Sequence, residues 1–373
     1  MSKKNKAADL IYKEAKKLCA TLKKQGAEVT MKPSGSTLDA ELWVSTGSTL
    51  LDGLLTHTFN PRLRGIPIGR VIDVVGPPGA GKSTLLAHLF SEVHKVGGIT
   101  MLLVSEGERC AERMEAIGVN FTQHITLPVN DLLDGFVWII ESVKKKSDNV
   151  PMVIGWDTVS AAPDPLSREA LDKADTTSKI RDAITMKTSG LSAKARAIRE
   201  QLRNITNMLH RKHVTLVFVQ QKIEKPGMAQ SWIDYQPQTS GGKGIWYHSS
   251  LRLHVAGGPQ WKDTDGNVIG IHSGISVIKS KLVMPMRRVY VPLRFATGID
   301  DVQGIINYLA DAKVLSHKGG GWREFKAADG KTRKFRYPTD LTGEEILHLR
   351  NLVLEKLNPA HYLGETNDSA KMP

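Results

Sequence analysis

The sequence predicts an α/β protein with a mostly parallel central sheet covered by helices, and three observations predict it. Short apolar or β-branched runs alternate with longer stretches of helical spacing. A glycine-rich stretch, Gly76 to Thr84 reading GPPGAGKST, joins one such run to one such helix. The polar residues that stand out, Glu106, Asp157 and Gln221, fall at the carboxyl ends of further runs, where open α/β sheets bind their ligands.

Taken in order, residues 6 to 24 place Ala7, Leu10, Ile11, Ala15, Leu18 and Leu22 at helical spacing, with lysines at 13, 16, 17, 23 and 24 elsewhere on the wheel. That pattern predicts a basic amphipathic helix, which either caps its own core or docks on another subunit. Gln25 to Leu38, with Gly26, Pro33 and Gly35, reads as a short strand and linker. Val71 to Val75 is a β-branched run that predicts a buried strand, and the helix after the glycine-rich loop runs from Thr84 to Lys95. Further strands are expected over Thr100 to Val104, Pro151 to Trp156, Val214 to Val219, Leu251 to Val255 and Ile275 to Ile278. Helices are expected over Asp131 to Lys146 and Ala193 to Lys212, the last with basic residues in its final turn. Two long segments, Pro165 to Gly190 and Lys222 to Gly242, interrupt the pattern, and unstructured segments of that length in a compact domain are usually functional or disordered.

Composition narrows the function classes. With 373 residues and 40% hydrophobic content the chain can build a substantial core. Its longest apolar runs, such as Phe136 to Ile140, are far too short to span a membrane, so a cytoplasmic protein is expected. Two cysteines, Cys19 and Cys110, exclude both a disulfide framework and a four-cysteine zinc site. A formal charge of +13 suggests a polyanionic partner, although excess lysine also serves as a solubilising surface.

The chemistry is concentrated around the glycine-rich loop. GPPGAGKST fits the phosphate-loop pattern, in which Gly76 and Gly81 let the backbone turn tightly enough for successive N–H groups to face phosphate oxygens, with Pro77, Pro78, Gly79 and Ala80 completing the nucleotide-binding loop. Lys82 would reach the β- and γ-phosphates, Ser83 would hold Mg²⁺, Thr84 would follow in the first turn, and the positive end of the helix would face the anion. A nucleoside triphosphate with Mg²⁺ is therefore the expected ligand. The strand ending in Asp157 has the form of a Walker B element, whose carboxylate supports Mg²⁺ and its waters. Glu106 could align water against the γ-phosphate, with Glu108, Glu112 and Glu115 as nearby alternatives. Gln221 could contact the γ-phosphate or cap a loop. Lys222 and Lys225 with Trp232 and Tyr235 would suit single-stranded nucleic acid, charge for phosphate and rings for bases, or belong to a loop with incidental aromatics.

The order of these motifs resembles the RecA-type recombinases from about Ser45 to Phe325. STGS-x-x-LD at 45 to 52, GIPIGRVIDVVGPPGAGKST, SEGE, VIGWDTVSAA, LVFVQQKIEK, TSGGKGIWYHSSLRL, VIKSKLVMP and FATGID follow one another at compatible spacings, and KGGGWREF at 318 to 325 resembles the family's smaller C-terminal domain. The resemblance implies an N-terminal oligomerisation arm at 1–40, a RecA-like ATPase core at 41–298 and a small α+β domain at 299–373. It implies that the triphosphate is ATP, that Glu106 activates water, that Gln221 senses the γ-phosphate, and that Lys279 and Lys281 reach the ATP of an adjoining subunit. DNA contacts are implied at Lys187, Gly190 and Lys194 around a first loop, and at Lys222, Lys225, Trp232, Tyr235, Gly241 and Gly242 in a second. Arg113 stands where an aromatic often covers adenine and could stack by its guanidinium plane, while Trp246 takes a position that is usually lysine. With a longer first loop and no acidic tail, these departures fit a phage-type member. The expected activity is DNA-dependent ATP hydrolysis in a helical filament on single-stranded DNA that pairs with duplex DNA, with a single-strand-binding protein or loading mediator as further partners. A hexameric helicase of the same core fold and a non-catalytic recombination mediator are the alternatives.

Overall fold

The computed structural model describes residues 42–106, 111–163, 187–222 and 242–360, together with Lys13, Lys16, Lys17, Ala20, Thr21 and Lys24. The chain divides into two compact units, Met1–Glu41 and Leu42–Pro373. In the first, the six described residues are helical and exposed, and Thr21 Oγ1 donates to the Lys17 carbonyl at 3.1 Å. The apolar positions of the helix expected over 6 to 24, and the strand and linker expected over 25 to 38, lie outside the described residues.

The second unit is built on one large sheet. Its parallel part comprises β3 (Val71–Gly76), β4 (Ile99–Val104), β5 (His124–Pro128), β6 (Met152–Asp157), β7 (Val214–Gln221) and β8 (Leu251–Ala256), ordered β8-β3-β7-β6-β4-β5. Beyond β8 the sheet turns antiparallel through β10 (Val268–Ser280), β11 (Arg288–Arg294) and β12 (Gly298–Ile299), with β9 (Gln260–Lys262) on β10. The run expected at Ile275 to Ile278 is thus the end of a 13-residue antiparallel strand, because β10 returns from β8 by a hairpin instead of a helical crossover. A separate pair, β1 (Trp43–Val44) with β2 (Ile66–Pro67), flanks α1 (Thr49–Leu54).

Both faces of the parallel part are buried, which is why its strands read as nearly continuous apolar runs. Ile72, Val74, Leu102, Val153, Val217 and Val219 point into one core with Leu85, Leu86 and Phe90 of α2 (Lys82–Lys95). Met101, Leu103, Ile154, Trp156, Leu216 and Phe218 point into the other, under α4 (Leu132–Lys145) and α5 (Lys187–Arg211). Trp156 is fully buried, its ring 5.4 Å from Phe136 and 6.1 Å from Phe218. Between β4 and β5 lies the short α3 (Ala111–Ile117), and α6 (Gly242–His248) precedes β8. Helix α5 begins at Lys187, six residues before the apolar spacing that announces it at Ala193, since its first turn, Lys187 to Gly190, carries no apolar side chain.

After β12 the chain forms α7 (Asp301–Asp311), a three-stranded antiparallel sheet of β13 (Ser316–His317), β14 (Arg323–Lys326) and β15 (Thr332–Phe335), and α8 (Gly343–Lys356). Thr342 and Glu345 close a capping box at the start of α8, which satisfies N–H groups the helix cannot bond itself. The end of α8 rests on α1: a Cβ at Gly53 would come within 2.7 Å of Leu357 Cδ1. Asp301 accepts from Thr49 N and Oγ1 at 2.6 and 2.8 Å and pairs with Arg350 at 2.9 Å, so the start of α1 is tied to α7 and α8 together.

Three imidazoles are held neutral by this packing. Burial lowers His88, His124 and His254 from the ordinary 6.5 to about 4, aided by Lys95, His94 and Lys222 respectively. The unfolded chain therefore binds protons at these sites as pH falls below about 6.5 while the folded chain does not, and stability declines toward pH 4. Asp52 opposes them: burial raises it to about 6, so its contribution is complete below its ordinary 3.8 and fades as pH rises toward 6. Burial also lowers His94, His248 and His272 and raises Asp73, so lowered imidazoles outnumber raised carboxyls. The urea midpoint should therefore be lower at pH 5 than at pH 7, and His124→Asn should flatten part of that dependence. The slope should fall short of ~1.4 kcal/mol per pH unit per imidazole, because His124 and His254 keep some contact with solvent.

Candidate functional site

Strand β3 delivers the chain to a loop whose backbone has room for glycine alone at both ends. A Cβ on Gly76 would lie 2.0 Å from the Val255 carbonyl oxygen, and one on Gly81 would lie 2.2 Å from Leu293 Cδ1. Gly79 and Gly81 adopt φ of 71° and 99°, the left-handed region that other residues rarely enter. Ser273 Oγ donates to the Ala80 carbonyl at 2.5 Å, so β10 props the loop from below. Helix α2 starts at Lys82 with no side-chain cap, which leaves its first N–H groups directed at the loop's mouth, an arrangement suited to an anion.

Charge and geometry converge at this mouth. Lys82 Nζ donates to the Pro77 carbonyl at 2.6 Å, folded back over the loop. Burial lowers its pKa, and Asp157 and then Glu106 act to hold the charge. Ser83 Oγ donates to Asp157 Oδ2 at 2.6 Å, so the hydroxyl and carboxylate that a phosphate-bound Mg²⁺ requires are already adjacent. Among the described residues no group of three histidine, cysteine or carboxylate side chains could hold a metal. Arg113 Nη2 donates to Thr84 Oγ1 at 3.0 Å, and both line a cavity of about 250 Å³ with Ser83, Asp157, Leu102 and Ile117.

Glu106 stands beside this cluster and is held from two sides. Its Oε2 accepts from Gln221 Nε2 at 3.3 Å, and its Oε1 from Thr158 Oγ1 at 3.4 Å. Glu112 and Glu115 are on the exposed surface of α3, and Glu108 lies outside the described residues. Gln221 ends β7, paired in register with Gly76 at the end of β3. The site thus gathers Lys82, Ser83, Thr84, Asp157, Glu106, Gln221 and Arg113 from the ends of β4, β6 and β7 and from two helices. Thr158 was not among the residues singled out in the sequence, and no local pattern marks it, since its partner is 52 positions away.

Lys279 and Lys281 are elsewhere. Lys279 is in register with Arg252 and Ser280 with Leu251, at the amino end of β8, whereas the phosphate loop leaves the carboxyl end of adjacent β3. The Lys279 ammonium donates to the carbonyls of Trp246 and Tyr247 at the end of α6 and sits 5.6 Å from the Trp246 ring centroid. Burial, then Lys281 and Arg252, bring its pKa down to about 8. Burial also lowers His248, followed by Lys281, Lys279, Arg199 and Arg203, so these cations share one neighbourhood. Arg196, Arg199 and Arg203 form an exposed stripe on α5. Their spacing of three and four is legible in the sequence and was the available signal for a basic surface.

Of the residues expected to contact DNA, Lys187, Gly190 and Gly242 are in the first turns of α5 and α6, and Lys222 follows β7 directly. Lys225, Trp232, Tyr235 and Gly241 lie outside the described residues. Lys194 requires a correction. It is 8% exposed, and its Nζ donates to the carbonyls of Ser160 and Ala162 at 2.8 and 2.5 Å, so its charge is turned inward and spent on backbone instead of facing a phosphate.

Fold and loop together define a phosphate-loop protein of the α/β class, with Asp157 of β6 beside Ser83 and a hydrogen-bonded Glu106–Gln221 pair from the strands on either side of β6. The family model for the RecA N-terminal domain matches residues 14–300. The chain belongs to the RecA family of recombinases. It is 25% identical to Protein RecA of Mycoplasma mobile over 86% of this chain and 89% of that protein. It is 27% identical to Protein RecA of Mesomycoplasma hyopneumoniae (strain 7448) over 88% and 90%, and 26% identical to Protein RecA of Thermus aquaticus over 84% and 85%. No helix among the described residues is long and apolar enough to cross a membrane.

Replacing Lys82 by alanine removes the ammonium that opens α2 at the loop's mouth. Triphosphate affinity, measured by titration with a fluorescent ATP analogue, should fall by roughly ten- to a hundredfold, the range of a lost charged hydrogen bond. The thermal midpoint should move little, because the hydrogen bond of Lys82 goes to the loop's own carbonyl at Pro77.

Proposed function

We propose that this chain is a DNA-dependent ATPase that assembles into a helical filament on single-stranded DNA and exchanges strands with homologous duplex in recombination and repair. The observation that carries the reading is the separation of Lys279 and Lys281 from the phosphate loop: two cations at the amino end of the sheet serve a triphosphate only if it belongs to a neighbouring copy. A nucleotide site completed by the next subunit makes a head-to-tail interface, and such an interface yields a filament unless its rotation closes a ring.

Within the site, the N–H groups of the loop and α2 bind the phosphates, and Lys82 leaves the Pro77 carbonyl for the β- and γ-oxygens. Mg²⁺, held by Ser83 and supported by Asp157, would neutralise phosphate charge. Glu106 accepts a hydrogen bond from the attacking water and orients it. Gln221 stands between Glu106 and the segment that begins at Lys222, so loss of the γ-phosphate would be felt where that segment starts. Backbone charge holds the single strand, through the two segments at 174–190 and 222–242 and the arginine stripe of α5, and homology is read by base pairing. Residues 1–40 serve as the oligomerisation arm, 41–298 as the ATPase core and 299–373 as an accessory domain, in a protein of the cytoplasm that works with a single-strand-binding protein or a loading mediator.

ATP turnover should rise on adding single-stranded DNA. Lys281→Ala should abolish that stimulation and leave triphosphate binding nearly intact, and Gln221→Ala should uncouple the two ligands. Electron microscopy should find filaments; closed rings would favour a helicase, and failure of the purified protein to exchange strands would favour a mediator. The basic segment from Lys313 to Arg336, with Trp322 exposed at 45%, is suited to gather duplex beside the filament. Duplex affinity unchanged by Lys331→Ala combined with Arg336→Ala would sink that role.

A further inference from the structure

Burying a lysine is costly unless its protons find acceptors, and Lys194 finds them in one short segment. That segment, residues 158–162, follows Asp157 directly. Lys194 holds the carbonyls of Ser160 and Ala162, and the turn is closed by Ala161 N donating to the Thr158 carbonyl at 3.1 Å. Inside the turn, Thr158 Oγ1 is 2.6 Å from Ser160 Oγ and 3.4 Å from Glu106 Oε1. Thr158 has a single hydroxyl proton. When it is donated to Glu106, the Ser160 hydroxyl must be the donor to Thr158, and this requires Ser160 to stay where Lys194 keeps its backbone. Both contacts to Glu106, at 3.4 and 3.3 Å, are near the limit of a hydrogen bond, so a displacement of a few tenths of an ångström decides whether they are made.

The same helix faces two ways. Lys194, Ile198 and Leu202 point inward at intervals of four, while Arg196, Arg199 and Arg203 are exposed on the outer side. An anion drawn onto those arginines therefore acts on the element from which Lys194 grips the turn. We infer that Lys194 is a positioning residue for Glu106: through Ser160 and Thr158 it sets the carboxylate, and α5 thereby links polyanion binding on its outer face to ATP turnover. This rests on Glu106 being the carboxylate that orients water.

The test is steady-state ATP turnover of the full chain, with and without single-stranded DNA, for Lys194→Met, Lys194→Arg, Thr158→Val, the Met/Val double variant and Glu106→Gln. Lys194→Met should lower the DNA-stimulated kcat by about tenfold, the scale of a modest misplacement of a catalytic group, with KM for ATP within about twofold. Lys194→Arg, which can reach the same carbonyls, should restore most of it. Thr158→Val should reproduce the loss, and the double variant should be no worse than Thr158→Val alone, as members of one chain are not additive. An unchanged stimulated kcat in folded Lys194→Met, a loss confined to KM, or fully additive losses would overturn the inference. Should Lys194→Met not fold, Thr158→Val with wild-type kcat overturns it and Thr158→Val with the loss supports it. Unaltered turnover in Glu106→Gln would remove the reading beneath it, whereas loss in Glu106→Gln with none in Lys194→Met removes this inference alone.

Discussion

At the centre of the sheet a carboxylate and a guanidinium are buried together, and the geometry of the nucleotide site hangs from that pair. Asp73 on β3 is fully buried and lies 2.9 Å from Arg252 on β8, which is 4% exposed. Gln220 on β7 donates to the other Asp73 oxygen at 2.6 Å, and the Arg252 guanidinium stacks 4.6 Å from the Trp246 ring of α6. Burial pushes the Asp73 carboxyl up, and Arg252, Gln220 and Lys279 pull it back in that order. Breaking such a pair leaves an uncompensated buried charge, which typically costs about 3–5 kcal/mol. Apolar residues could fill the same space at no loss of stability, so the pair is better understood as fixing the register of three strands and one helix.

That register matters because each of these elements carries a functional end. Three residues beyond Asp73 is Gly76, where the phosphate loop begins, and one beyond Gln220 is Gln221, which touches Glu106. Opposite Arg252 on β10 is Lys279, and Trp246 binds that lysine through its carbonyl and its ring. Loop, glutamine and lysine are therefore set by one internal reference, although they face different ends of the sheet. A half-turn or one-residue slip in any member would move all three, and the low dielectric around the pair makes such a slip costly.

Legibility followed burial. Strands covered on both faces announce themselves as β-branched runs, and β3, β4, β6, β7 and β8 were all readable to within two residues. Strand β5 was not, because His124-Ile125-Thr126-Leu127-Pro128 is a short edge strand with three of its five residues exposed, and an alternation of only Ile125 and Leu127 is too brief to mark it. The length of β10 was hidden for a similar reason: Val268 to His272 is mostly not buried, and the continuously buried run begins only at Ser273. Lys194 was misread because lysine on a polar helix near a long loop looks solvent-facing, and the carbonyls that bury it belong to a segment 32 and 34 residues away.

By itself the sequence determined the local chemistry: glycines where a backbone must turn through positive φ, a lysine and a serine opening a helix, carboxylates at the tips of apolar strands, and the order in which these occur. Such features are short-range, since the residue type and its immediate neighbours specify the conformation. Tertiary structure alone decided which carboxylate stands beside the glutamine, which cations lie at the far end of the sheet, and which lysine is turned inward. Those are contacts between residues tens to hundreds of positions apart, brought together by strand order and register, and no periodicity along a chain encodes a distance across a sheet.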